Sequence, residues 1–189
     1  MNLKYGTVYL RAIEEEDLEF CREMMNHPGI EVSTVGKAFP VSKREQLNWY
    51  QNSTDRNNLR LMICIPEGGA IGMISLTGID WINRSAEIGI KFLNSGKRST
   101  QNTADACECI LKYSFDELNL HSLYAQVLED NLLSRKLLLG YGFTQEGVLR
   151  ERVYKRGAYR NLLVYSLLKS EYRNSRNSEN REGPTNDSP

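Results

Sequence analysis

The sequence predicts an α+β domain: a mixed, mostly antiparallel sheet of six to seven strands flanked by four helices. Three observations lead there. Stretches with the two-residue period of strands alternate with stretches carrying apolar residues at helical spacing. Pro66-Glu-Gly-Gly69 separates the apolar runs Leu59–Ile65 and Ala70–Thr77 as a hairpin turn, and Gly157 separates Phe143–Arg156 from Ala158–Leu168 in the same way. Between these hairpins, Arg84–Phe115 reads as strand, polar loop and helix, an order that brings backbone N–H groups and a helix N-terminus to a place where an anion can sit.

In that central stretch, Ala86, Ile88, Ile90 and Phe92 fall on one strand face, and Glu87, Gly89 and Lys91 on the other. The first face suits a core and the second a site. Ala106, Cys109, Ile110, Tyr113 and Phe115 then recur at helical spacing, predicting a helix from about Thr103 to about Glu117 with Asn102 or Thr103 as N-cap.

Ahead of it, Thr7–Ile13 alternates as a first strand. Glu14–Asp17 supplies acidic residues suited to a helix start, and Leu18, Cys21, Met24 and Met25 form an apolar stripe that Asn26-His-Pro-Gly29 terminates. Ser42 with Glu45 forms a capping box before a short helix carrying Leu47, Trp49 and Tyr50. Gly78–Arg84 turns the chain into the central strand; Asp80, Trp81 and Arg84 read either as acceptor contacts or as a tight turn with a packed Trp. Leu120–Leu128 reads as a strand, with His121 in the turn before it, and Asn131 precedes a helix with Leu133, Leu137 and Leu138 that Gly140 and Gly142 end. The domain is expected to span residues 1–172, and the polar segment 173–189, almost without apolar residues, reads as a disordered tail.

With 24 basic and 24 acidic residues there is no global field to attract nucleic acid or an anionic membrane. The N-terminus lacks the apolar run of a signal peptide and no stretch reaches membrane-spanning length, so a cytoplasmic protein is expected. Cys21, Cys64, Cys107 and Cys109 have no metal-ligand spacing and read as small buried residues; no metal is expected.

Asn83-Arg-Ser-Ala-Glu-Ile-Gly-Ile, Phe115-x-x-Leu-Asn-Leu-His121, Asn131-x-x-Ser134, Gly142-Phe143 and Glu146-Gly-Val-Leu-Arg150 follow one another as in the GNAT superfamily of N-acetyltransferases. The resemblance covers nearly all of Leu3–Tyr172 and is closest to the branch of ribosomal-protein Ala/Ser N-acetyltransferases. It implies acetyl-CoA as co-substrate and a primary amine as acceptor, either a protein N-terminus or a small molecule such as an amino sugar, polyamine or antibiotic. It also leaves room for a homodimer.

The family's pyrophosphate loop, Gln/Arg-x-x-Gly-x-Gly/Ala, maps onto Arg98, Ser99, Thr100, Gln101, Asn102 and Thr103, where both glycines are replaced. The resemblance further implies that the backbone at Lys91, Phe92 and Leu93 pairs with the pantetheine arm, and that Asn131 and Ser134 face the thiol. Many members protonate the departing thiolate with a tyrosine; Leu138 stands there, and the ribosomal branch's serine falls on Ser134. Ser134 is the candidate acid, although Asn131 or Ser134 could equally cap the helix. Glu87 is the candidate base, since partial burial on the site-facing side would raise its pKa. Tyr154 on the last hairpin is a further acceptor contact, and Gly157-Ala-Tyr159-Arg-Asn161 has Asn where relatives of this branch often have Asp. Two alternatives stay open: a non-catalytic binding module of the same fold, and an acyltransferase using another acyl-CoA or an acyl carrier.

Overall fold

A computed structural model describes residues 2–35, 39–53, 55–93 and 99–179. Eight strands form one sheet: β1 (Leu3–Tyr5), β2 (Val8–Ala12), β3 (Leu59–Ile65), β4 (Gly69–Asp80), β5 (Ser85–Phe92), β6 (Ser122–Leu128), β7 (Thr144–Lys155) and β8 (Ala158–Leu168). Their order is β1-β2-β3-β4-β5-β6-β8-β7, antiparallel at every neighbour except the parallel pair β5–β6. The helices are α1 (Leu18–Asn26), α2 (Pro28–Ser33), α3 (Lys43–Gln51), α4 (Thr100–Lys112), α5 (Leu132–Gly140) and α6 (Lys169–Glu179). The mixed, mostly antiparallel sheet is as expected, with one strand and two helices more than the upper expectation.

Each additional element has a physical cause. The first strand is a hairpin, because Gly6 adopts φ +52 and turns the chain between Tyr5 and Val8. Pro28 ends α1 but also starts α2: Pro is tolerated in a first turn, where its missing N–H is not needed, and the His27 ring Nδ1 accepts from the Gly29 N–H at 3.1 Å. The segment expected to be disordered from residue 173 continues as α6 to Glu179. Tyr172 anchors that helix, with its ring 5.0 Å from that of Phe115 and its hydroxyl 3.2 Å from Glu108, while Arg176 pairs with Glu108.

The sheet buries both faces. Cys21, Met24 and Ile30 of α1 and α2 pack on Met62, Cys64 and Met73. On the opposite face Ala106, Cys109, Ile110 and Leu111 of α4 pack on Leu10, Ile63, Ile74, Ala86 and Leu123. All four cysteines are buried free thiols. Ser42 and Glu45 make the expected capping box of α3. Helix α4 is capped one turn before the expected position, by Ser99, whose hydroxyl accepts from the Asn102 N–H at 3.0 Å. Its far end widens into a π turn over Tyr113–Glu117.

The β1–β2 turn docks on the first turn of α4. The buried Asp105 carboxylate accepts from the Thr7 N–H at 2.7 Å and the Thr7 hydroxyl at 2.6 Å, and Asn102 Oδ1 accepts from the same hydroxyl at 2.8 Å. A Cβ on Gly6 would lie 2.3 Å from Asp105 Oδ2. The carboxylate cannot swing aside without losing Thr7. Gly6→Ala is therefore expected to destabilise the fold by roughly 2–3 kcal/mol, read as a lowered urea midpoint with an unchanged m-value.

Candidate active site

Strands β5 and β6 pair only at their beginnings, through Ser85↔Ser122, Ala86↔Leu123 and Glu87↔Tyr124. Beyond Glu87 each stays with its outer neighbour: β5 with β4 as far as Phe92↔Gly72, and β6 with β8 as far as Leu128↔Leu162. A wedge opens between them toward their C-terminal ends.

Backbone orientation in this wedge follows from one bond. The Leu93 N–H donates to the Ile71 carbonyl at 3.3 Å, which turns Leu93 toward β4. Strand alternation then turns Lys91, Gly89 and Glu87 toward β4 as well, and Ile88, Ile90 and Phe92 toward the wedge. The backbone groups of Lys91 and Leu93, expected to pair with the pantetheine arm, therefore turn toward β4, and those of Phe92 turn away from it. Below the wedge, Ile88 and Ile90 with Cys107, Leu111, Leu137, Leu138, Tyr141 and Phe143 line a narrow apolar slot. Leu138, at the position of the missing tyrosine, is part of that lining. Tyr141, one turn further on, is committed elsewhere, its hydroxyl donating to the Ala104 carbonyl at 2.8 Å.

Helix α4 starts beyond the end of β5. Arg98 lies outside the described residues. Ser99 is spent as the cap, and the Thr103 hydroxyl donates to the Ser99 carbonyl at 3.1 Å. Gln101 Nε2 donates to Asp105 Oδ1 at 2.8 Å, so this side chain lies back along the helix instead of across its start. Thr100 is exposed in the first turn. The residues that replace the glycines thus direct their side chains along the helix, and a helix N-terminus next to the apolar slot fits a phosphate-bearing thioester.

On the other face, Glu87, Gly89 and Lys91 follow one another along β5. Glu87 is half-buried at the fork of the wedge and makes no hydrogen bond or ion pair among the described residues; its burial raises the carboxyl pKa above the ordinary glutamate value. Tyr124, its register partner on β6, has its own pKa raised, first by burial and then by the Glu87 charge. Sequence reasoning missed Tyr124; its pairing with Glu87 was the signal that could have found it.

Asn131 joins two helices. Its Oδ1 accepts from the Ser134 N–H at 3.1 Å, capping α5, and its Nδ2 donates to the Ser33 carbonyl at the end of α2 at 3.0 Å. The capping role open between Asn131 and Ser134 therefore belongs to Asn131. The half-buried Ser134 hydroxyl makes no hydrogen bond among the described residues.

Helix α2 is fastened a second time by the last hairpin. Lys155 Nζ donates to Glu31 Oε1 at 2.8 Å and to the Glu31 carbonyl, and Arg156 lies 3.8 Å from the same carboxylate. This contact spans 124 residues and left no sequence signal. Tyr154, beside it, is exposed and packs edge-on against Tyr159 at 5.2 Å. Asn161 donates from Nδ2 to Glu129 Oε2 at 2.8 Å and from its backbone to Oε1 at 3.0 Å, while its Oδ1 accepts from the Glu151 N–H at 2.9 Å. An aspartate there would face Glu129 with a second negative charge and no side-chain donor, which accounts for the amide at this position.

Asp80, Trp81 and Arg84 are not brought to the wedge. Asp80 accepts from the N–H groups of Ile82 and Asn83 at 2.9 and 2.8 Å and from Asn83 Nδ2, as a turn residue does. The Arg84 carbonyl accepts from the His121 and Ser122 N–H groups at 2.6 and 3.2 Å, closing the paired end of β5 and β6.

Residues 7–144 match the family model described as an acetyltransferase (GNAT) domain. The chain belongs to the GNAT acetyltransferase family. Its relatives include the uncharacterized N-acetyltransferase p20 of Bacillus licheniformis, 34% identical over 86% of this chain and 93% of p20. YdaF of Bacillus subtilis, a relative named for ribosomal N-acetylation, is 34% identical over 66% of this chain and 67% of its own. A crystal structure of spermidine N-acetyltransferase from Vibrio cholerae, in complex with CoA and spermine, superposes with a TM-score of 0.82 at 28% identity, covering 88% of this chain and 98% of that one. This GNAT chain is accordingly an N-acetyltransferase, with acetyl-CoA as its co-substrate.

The double fastening of α2 makes a direct prediction. Lys155→Met removes the nearer cation from Glu31 at a cost of about 1 kcal/mol. It is expected to raise the acceptor KM several-fold and leave the acetyl-CoA KM within about two-fold; the Glu31→Lys/Lys155→Glu double variant recovers part of the loss.

Proposed function

We propose that this GNAT enzyme acetylates the primary amine of a small molecule, with Glu87 as the proton acceptor and Ser134 as the proton donor. The observation that carries the reading is a half-buried, unpaired carboxylate at the fork of the β5–β6 wedge. Acetyl-CoA, when bound, supplies the activated acyl group. The attacking nitrogen must be neutral, and Glu87, whose basicity burial has increased, takes its proton directly or through one water. The Ile88 N–H is taken by the last rung of the β5–β6 ladder, and the next one, of Ile90, turns toward the wedge, where negative charge on the thioester oxygen would develop. As the N–C bond forms and the C–S bond breaks, the Ser134 hydroxyl protonates the departing sulfur and is reprotonated from water.

The acceptor approaches from the face that carries Glu87, under the wall made by α1 and α2, which pack on that face of the sheet. That wall is tied down at Ser33 by Asn131 and at Glu31 by Lys155. A wall fastened in this way suits a small acceptor better than a folded protein's N-terminus, and the similar structure from Vibrio cholerae is in complex with CoA and spermine.

Two variants test the roles. Glu87→Gln is expected to lower kcat by roughly 10²–10³-fold with acetyl-CoA affinity retained; kcat within a few-fold of wild type would remove Glu87 as the base. The same variant has a signed effect on stability. Because the folded pKa of Glu87 is raised, ionisation costs the native state stability as pH rises from the unfolded value through the folded one. The melting temperature of Glu87→Gln relative to wild type should therefore be higher at pH 7 than at pH 4. Ser134→Ala is expected to lower kcat about ten-fold, with the loss smallest for acyl donors whose thiol is most acidic.

A further inference from the structure

Among the basic side chains on the acceptor-facing side of the sheet and its hairpin, four show two kinds of environment. Arg11 is neutralised by Asp17, at 2.8 Å between Nη2 and Oδ1, and Lys155 by Glu31. Arg60 and Lys91 have no carboxylate within 4.0 Å among the described residues, though both are half-buried. The Arg60 guanidinium lies 5.6 Å from the centre of the Trp49 ring, and Lys91 Nζ lies 3.7 Å from Met25 Sδ. The acid electrostatically associated with Arg60 is Asp55, but its oxygens are occupied by the Asn57 N–H at 2.6 Å and by the Asn58 amide. Burial, then the charge of Arg60, depresses the Lys91 pKa, so the two cations oppose each other.

Register relates both of them to Gly89. Arg60 pairs with Ser75, and Ser75 with Gly89. Gly89 lacks a side chain between Glu87 and Lys91, and a Cβ there would lie 3.2 Å from the Ser75 hydroxyl. Along β5 the acceptor face therefore presents a carboxylate, a gap and a cation, with a second cation two strands away, about 10 Å from Gly89.

We infer that the acceptor is a small amine that also bears an anionic group, a carboxylate or a phosphoryl, within about 10 Å of the nitrogen, held by Arg60 and Lys91 while the amine faces Glu87. This rests on the amine-acetylating reading above and narrows its substrate class. A polyamine would bring only positive charge to two cations already lacking a counter-ion, whereas an anion would satisfy both.

The test is thiol release from acetyl-CoA by the full chain with matched acceptors: linear ω-amino carboxylates, aminoalkyl phosphates, the corresponding alkylamines and spermidine. Acidic acceptors are expected to exceed the matched alkylamine in kcat/KM by roughly 10- to 100-fold. The better of the carboxylate and phosphate series identifies the anion. Arg60→Gln should reduce that ratio about ten-fold, and Arg60→Glu should invert it toward spermidine, a change of preference that misfolding cannot produce. Equal or faster turnover of alkylamines and spermidine by wild type would overturn the inference and leave the amine-acetylating reading standing. Tight acetyl-CoA binding with no turnover of any amine in the panel would overturn both.

Discussion

A parallel ladder of three residue pairs, Ser85–Glu87 against Ser122–Tyr124, holds the two halves of the sheet together, and the site depends on its stopping there. Strand β5 is paired along its length with β4, and β6 along its length with β8. Each half keeps its own twist, so the strands separate once the ladder ends. The separation leaves the backbone of Ile90 without a partner on β6, normally an expense in a buried sheet. Here the cost is offset by the apolar lining that Ile88 and Ile90 share with residues of α4 and α5. The closed end is fixed by the Arg84 carbonyl, which takes two N–H groups from the chain entering β6.

Much of the architecture was legible because it is local. Alternation from Ala86 to Phe92, the capping box at Ser42 and the turns at Gly69 and Gly157 each follow from residues within a few positions of one another. What was not legible depends on partners distant in sequence. Side-chain alternation assigned Glu87 and Lys91 to one face, but only the Leu93–Ile71 bond shows which backbone groups turn toward the wedge. Proline marked the end of α1 correctly and concealed that it also begins α2. The polarity of residues 173–179 argued for disorder, yet one residue, Tyr172, seated on Phe115, gives α6 its attachment to the core. For the site, Glu87, Asn131 and Ser134 fall around the wedge, whereas Asp80, Trp81 and Arg84 serve the turn at its closed end.

The replaced glycines illustrate how a missing motif can be compensated. Glycine in a phosphate-binding loop matters because nothing projects from it. Gln101 and Thr103 approach the same result by directing their side chains back into the helix, to Asp105 and to the Ser99 carbonyl. Asp105 is at the same time the residue that docks the β1–β2 turn. The start of α4 is thus held in place by the core side of the protein.

Charge on the acceptor face follows a comparable division. Where a cation serves architecture, a carboxylate accompanies it: Asp17 for Arg11, Glu31 for Lys155. Glu87, Arg60 and Lys91 carry unpaired charge instead, and in a partly buried setting each would be more stable if neutral or paired. A fold that needed only stability would have little use for three such groups along one strand and its neighbours. Their arrangement around Gly89, acid on one side and cations on the other, is complementary to a molecule that carries both an amine and an anion, and only such a ligand compensates all three at once.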